Sequence, residues 1–244
     1  MHFNRVFLCL FCFLLALTGT ACGTQATAAS MADTRSPENT QINFLDTLTF
    51  LGDSTTAHMA TRAPFGKSGA AGRVWMTKSR YLNLSPRITY ERILCPESGE
   101  ELTIAEVAAR IKPQRLVITL GIDYGVYYYR NDQTSFEFYY EKLLDAILAE
   151  SPDTTLVLQS IFPVGRQSRA ITNEMVDKAN ETVATIAKRR GLVFVDANRI
   201  LKDHDGFLAQ EYCYSDDGIH LTAAAYDAIF KNLENYEQEI TRSA

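Results

Sequence analysis

The chain has 244 residues, 46% of them apolar, and 24 basic against 29 acidic side chains give a formal charge of −5. That length and apolar share suffice for one good core, so a single domain is expected. Nothing in this acidic balance, with no basic cluster, points to nucleic acid or another polyanion as partner.

The first stretch, "MHFNRVFLCLFCFLLALTGTAC", has a positive start at Arg5, an apolar run from Val6 to Leu17 and small residues ending at Cys22. This is the pattern of a secretory signal, too short for a membrane span. Gly19, Thr20 and Ala21 before Cys22 resemble a bacterial lipoprotein cleavage site. Residues 1–21 are therefore expected to leave as a signal peptide, with Cys22 lipidated and holding the protein to the membrane outside the cytoplasm. Ordinary cleavage near "ATAAS" would instead release a secreted protein. Loss of Arg5 with the signal moves the formal charge from −5 to −6. Residues 22–42 are small and polar without periodicity and read as a flexible tether. Once Cys9, Cys12 and Cys22 are assigned to signal and anchor, Cys95 and Cys213 remain, either as a disulfide or as buried thiols.

The folded domain is expected over 43–244. Apolar runs bounded by turn residues at Leu48 to Leu51, Leu116 to Leu120, Leu156 to Phe162 and Leu192 to Val195 suit strands covered on both faces. A further strand is expected near Arg87 to Tyr90. Between them lie helical patterns. Thr103 and Glu106 form a capping-box start for "TIAEVAARI", ended by Pro113, and Thr134 and Glu137 do the same for a helix carrying Phe136, Tyr140, Leu143, Leu144 and Ile147. A third helix runs from about Ile171 to Gly191, and the last starts near Thr222 and buries Tyr226, Ile229, Phe230 and Leu233. Alternating strands and helices predict a parallel sheet with helices on both faces. A ligand would then sit beyond the carboxyl ends of the strands, at the loops near 52, 121, 163 and 197.

"FLGDSTT", residues 50 to 56, sets Ser54 where the first strand stops and a helix starts. A serine there is a good helix cap, but its hydroxyl also lies beside the positive helix end and its own N–H, which favour an anion forming next to it. A nucleophilic hydroxyl needs a base. His58, one turn further along that helix, is read as a surface residue, and His204, in "KDHDGF", as part of a solvated turn. His220 closes "SDDGIH" just before the last helix, with Asp217 three residues earlier and able to orient its ring.

"FLGDSTT" and "SDDGIHLT", together with "ITLGIDYG" between them, resemble the blocks of the SGNH, or GDSL-type, hydrolases. The likeness extends over about 43 to 240. It implies a flavodoxin-like three-layer α/β/α fold around a central, mostly parallel five-stranded sheet, and serine ester hydrolysis without a cofactor. Ser54 would be the nucleophile and first oxyanion donor, His220 the base and Asp217 its orienting acid. Two departures stand out. Asp123 takes the place of the family's oxyanion asparagine, exchanging an amide donor for a group that only accepts when ionised. Gly66, Gly69 and Gly72 are the candidates for the family's glycine donor, and Gly72 is assigned, although the local match around "VWMTKSRYLNL" puts Arg80 there.

Gly-Lys-Ser in "FGKSGA" lacks the first glycine of a phosphate loop and a preceding strand, and it misses Gly-x-Ser-x-Gly at Ala70. Neither acid-rich turn has the spacing of a metal site. "YGVYYYR", residues 124–130, follows the third strand, and Tyr124, Tyr127 and Trp75 are expected to face sugar rings, with Asp53 also at the substrate. The substrate expected is a small ester or an acylated glycan, with acetyl on carbohydrate first. The alternative is a weak or inert member of the same fold that binds glycan or a protein at the cell surface.

Overall fold

The computed structural model describes residues 43–66, 69–214 and 216–243. The expected signal peptide, Cys22 and all but the last position of the leading segment up to residue 43 lie outside them. No helix among the described residues is long and apolar enough to cross a membrane.

In chain order the elements are β1 (Leu48–Gly52), α1 (Ser54–Arg62), β2 (Val74–Trp75), β3 (Arg92–Leu94), β4 (Glu101–Thr103), α2 (Ile104–Ile111), β5 (Arg115–Thr119), α3 (Gly125–Tyr128), α4 (Gln133–Glu150), β6 (Thr155–Gln159), α5 (Asn173–Arg190), β7 (Val193–Val195), α6 (Asn198–Leu201), α7 (Ala223–Asn235) and α8 (Glu237–Arg242). Five strands form one sheet in the order β2-β1-β5-β6-β7, and every neighbouring pair is parallel. β3 and β4 form a separate antiparallel pair.

The three layers arise from strand periodicity, because successive side chains point to opposite faces. Leu51, Leu116, Ile118, Leu156 and Leu158 share one core with residues of α2, α4 and α5. Their sequence neighbours Phe50, Val117 and Val157 share the other with residues of α1, α7 and α8. Both faces are thus covered, which is why the strands read as unbroken apolar runs.

Local chemistry sets the helix ends. The Thr103–Glu106 capping box is present as expected, Thr172 caps α5, Gly191 ends it in the left-handed conformation, and Thr222 caps α7. Two expectations are corrected. α4 is capped by Asp132, whose side chain accepts from Ser135 N, not by Thr134. The strand expected at Arg87 to Tyr90 is a short 3-10 helix over Ile88–Tyr90, and the sheet takes Val74–Trp75 as its edge strand instead. Cys95 is buried in the core shared by α2 and α4, whereas Cys213 packs against the core of the other face, so the two do not pair with each other.

Because the sheet is parallel, the carboxyl ends of its strands share one edge, where Ser54 comes after β1 and Asp123 after β5. Gly52 closes β1 there in a tight approach: a Cβ at this position would stand 2.1 Å from the Thr119 carbonyl oxygen and 2.2 Å from Thr56 Oγ1. The nearer atom is backbone of a central strand and cannot step aside. Gly52→Ala is therefore expected to destabilise the fold by about 3 kcal/mol, a fall of roughly 6–12 °C in Tm. A thermal melt checks this; an unchanged Tm would mean that β1 and β5 do not lie this close.

Candidate active site

The turn from β1 to α1 is organised by Asp53, not by Ser54. Asp53 is the helix cap, with Oδ1 accepting from Thr55 N at 3.2 Å and Thr55 Oγ1 at 2.7 Å. Its other oxygen accepts from Gly121 N at 3.0 Å and Ile122 N at 2.9 Å, in the loop after β5. The side chain is fully buried. Burial first, and then the charge of Asp123, push its carboxyl up to about 7, against the pull of Thr55 and the two amides. Asp53 is therefore a clamp between two loops and does not contact substrate, contrary to expectation.

Ser54 is the first residue of α1 and is buried. Its backbone N–H donates to Asp123 Oδ2 at 2.8 Å, and its hydroxyl donates to Asp123 Oδ1 at 2.7 Å. The Asp123 carboxylate thus lies across both Ser54 groups expected to serve acyl transfer. Burial raises the Asp123 pKa, opposed by the two bonds from Ser54 and by His220.

His220 reaches this edge on the loop before α7. Asp217 Oδ1 accepts from Ile219 N at 2.7 Å and His220 N at 3.1 Å, while Oδ2 lies 2.6 Å from His220 Nδ1. Gly218, at φ +71°, permits the turn, and Gly165 N, beyond β6, fastens it by donating to the Gly218 carbonyl at 2.7 Å. The second ring nitrogen of His220, Nε2, is buried and makes no hydrogen bond among the described residues. Ser54 Oγ and His220 Nε2 are therefore not bonded in this conformation, although His220 stands close enough to act on the charge of Asp123.

His58, expected at the surface, is drawn into the site by the fold. Its ring lies 4.5 Å from that of His220 between centroids, and its Nδ1 is buried without a hydrogen bond. The only sequence signal was its spacing of one helical turn from Ser54. Burial first, and then the charges of His220, Arg62 and Arg80, lower its pKa to about 4.

Trp75 is fully buried in the core, so it does not meet a sugar. Tyr124 is half-buried and stacks on Tyr128 at 4.0 Å and 12°. Tyr127 and Tyr128 are exposed, whereas Tyr129 turns into the core. Gly72 is also corrected. It lies two residues before β2, whose Val74 pairs with Phe50 in parallel register, so it belongs at the edge where β1 begins rather than where Ser54 sits. Beyond the end of β2, Arg80 adopts φ 65°, the conformation glycine favours, and its N–H donates to the Thr77 carbonyl at 3.0 Å. Among the described residues no group of His, Cys, Asp and Glu is arranged to hold a metal ion.

The model of the GDSL-like Lipase/Acylhydrolase family matches residues 50–228, a span that takes in Ser54, Asp123, Asp217 and His220. The chain belongs to this family. It is an ester-bond hydrolase on that ground. A GDSL-like lipase from Bacteroides thetaiotaomicron superposes with a TM-score of 0.53 at 16% identity, over 79% of this chain and 87% of that one, which shows the shared fold. An acetyl-xylooligosaccharide esterase from Geobacillus stearmophilus is similar at 19% identity over 78% of this chain and 93% of that one, with a TM-score of 0.46. No curated protein matches the chain.

The lowered pKa of His58 has a stability consequence in this GDSL-like hydrolase. Its folded value lies near 4 and its unfolded value near 6.5, so between those pH values the unfolded chain binds the extra proton. The stability linked to His58 is fully present above pH 6.5 and is lost as pH falls through 4. The Tm of the wild type relative to His58→Gln is expected to fall across that window and to level off on both sides, as melts of the two proteins at matched pH would show.

Proposed function

We propose that this hydrolase cleaves acyl esters, acetyl first, on carbohydrate, with Ser54 as nucleophile, His220 as general base and Asp217 as the group that orients it. The observation that carries this reading is the His220 ring. Asp217 holds one of its nitrogens at 2.6 Å, and the other is buried with no hydrogen-bond partner among the described residues, which leaves it available to the serine in this reading.

The reaction requires Ser54 Oγ to turn from Asp123 toward Nε2, a rearrangement in keeping with hydrogen bonds that align only once substrate is bound. Oγ then attacks the acyl carbon while its proton passes to Nε2, and the carbonyl oxygen becomes an oxyanion facing the Ser54 N–H. His220 returns the proton to the alcohol oxygen as the carbon–oxygen bond breaks, leaving an acyl-serine. Water attacks that ester with His220 again taking the proton, and Ser54 leaves with its hydroxyl restored. Stacked Tyr124 and Tyr128, with exposed Tyr127 beside them, offer faces for a sugar ring. The expected signal peptide, Cys22 anchor and tether would hold the domain outside the cytoplasm, where acylated cell-surface glycans are within reach.

A second reading is favoured by Asp123. An ionised carboxylate bonded to both Ser54 groups opposes an oxyanion, which suits a catalytically weak member that binds glycan or a protein partner in the same cleft. Labelling by a fluorophosphonate, located by mass spectrometry, separates the two. Modification of Ser54, with p-nitrophenyl acetate hydrolysis lost by about 10³-fold or more in Ser54→Ala and His220→Ala, is the result expected of the enzyme. Glycan binding that survives Ser54→Ala, with no labelling or turnover, would support the binder.

Asp123→Asn provides a further measurement. It restores an amide donor and removes the opposing charge, so kcat is expected to rise, by up to about 10²-fold. An unchanged or lower kcat would mean that the acid serves another purpose.

A further inference from the structure

Beyond the nucleophile, helix α1 meets the segment that carries His220 at two further points. Ser54, His58 and Arg62 are spaced by four residues on this helix, so their side chains form one stripe along it. Ser54 opens the stripe. At its middle, the His58 ring lies 4.5 Å from the His220 ring between centroids, tilted by 50°. At its end, Arg62 Nη1 donates to the carbonyl of Leu221, the residue after His220, at 3.0 Å, and the Arg62 guanidinium lies 3.5 Å from the centroid of the Tyr214 ring.

These contacts fall on one short ribbon. Tyr214 N donates to the His220 carbonyl at 2.7 Å, and Cys213 and Leu221 form an antiparallel bridge. Arg62 therefore holds both sides of the ribbon, Leu221 on one and Tyr214 on the other. His58 Nδ1 and His220 Nε2 are both buried and make no hydrogen bond among the described residues, so the two rings meet by packing. Burial first, and then the charge of His220, lower the His58 pKa to about 4, so near neutral pH the ring packed on His220 is uncharged.

We infer that His58 and Arg62 are positioning residues for the base: they seat the segment carrying His220 on the helix whose first residue is Ser54, so that one helix sets the geometry of serine and imidazole. The inference rests on the reading of His220 as base. Asp217 holds one nitrogen of that ring but belongs to the same segment, and Gly165 ties the turn to the loop after β6 rather than to α1. Neither fixes His220 against Ser54. Such alignment matters because a misplacement of about 1 Å can cost about 10²-fold in rate. α7, which follows the segment, is tied to α1 separately by Tyr226 and the Thr55 carbonyl, so loss of the His58 or Arg62 contact is expected to loosen the segment without unfolding the domain.

The test measures p-nitrophenyl acetate hydrolysis and thermal melts of the full chain in His58→Ala, His58→Phe and Arg62→Gln. His58→Ala and Arg62→Gln are expected to lower kcat by about ten- to hundredfold, with KM little changed and a cooperative melt retained. His58→Phe keeps a flat ring at the contact and is expected to recover most of the kcat lost in His58→Ala. Carbethoxylation by diethyl pyrocarbonate, located by mass spectrometry, reports the seating of His220 directly, and His204, whose side chain is 90% exposed, is the internal reference. His220 is expected to react far more slowly than His204 in the wild type and in His58→Phe, and nearly as fast in His58→Ala and Arg62→Gln.

An unchanged kcat in either His58→Ala or Arg62→Gln would overturn the inference. So would a His58→Phe variant as impaired as His58→Ala, which would give His58 a role through its nitrogens, or a His220 that stays protected while kcat falls. Should a His58 variant fail to melt cooperatively, Arg62→Gln decides by the same two readouts. If the wild type turns over no ester, it is the esterase reading that fails. The reactivity of His220 against His204 then decides the seating by itself: exposure of His220 in both His58→Ala and Arg62→Gln supports it, and continued protection refutes it.

Discussion

The site depends on one buried carboxylate. Asp53 accepts four hydrogen bonds, two from Thr55 on its own turn and two from the amides of Gly121 and Ile122 across the sheet edge. A carboxylate with two oxygens can join two loops in this way, because it accepts along several directions at once. The cost is desolvation, visible in the raised pKa of the acid. The clamp's effect is positional: Ser54 is the next residue on one side of it and Asp123 the next on the other. Both are thus one peptide bond from a residue that the clamp fixes.

That clamp sets the Ser54 hydroxyl against Asp123 and leaves His220 to a third segment. The hydroxyl proton of Ser54 is directed at Asp123, while Nε2 of His220 is buried without a hydrogen bond among the described residues. The proposed reaction requires the serine to exchange its bond to Asp123 for one to His220, and an ionised Asp123 opposes that exchange. Packing of α7 against α1 steadies the third segment, as when Tyr226 donates its hydroxyl to the Thr55 carbonyl at 2.5 Å. In the proposed reaction the fold supplies alignment, and Asp123 sets how readily the serine is released to use it.

Charge is also distributed unevenly. The chain as a whole is acidic, and at the site Asp53, Asp123 and Asp217 are committed to backbone, hydroxyl or ring partners. Net charge governs encounters with extended polyanions, whereas recognition beside a buried centre is governed by the few groups within reach.

The sequence by itself determined the layers and the ends of the domain's main elements. Apolar runs such as Leu116 to Leu120 need only strand periodicity and burial, and the caps at Thr103, Thr172 and Thr222 need only the neighbouring backbone amides, so both are readable over a few residues. Ser54 at its strand-to-helix turn and the Asp217–His220 spacing were legible for the same local reason. The two-residue strand at Val74–Trp75 was too short to carry a period and forms because β1 offers it an edge. Only tertiary structure decided that Asp53 is a clamp and Trp75 is core, that Gly72 sits at the far end of its strand, and that His58 packs on His220. Those facts concern which distant surfaces exclude water together, and burial of that kind is a property of the assembled chain, with no signature in any one segment.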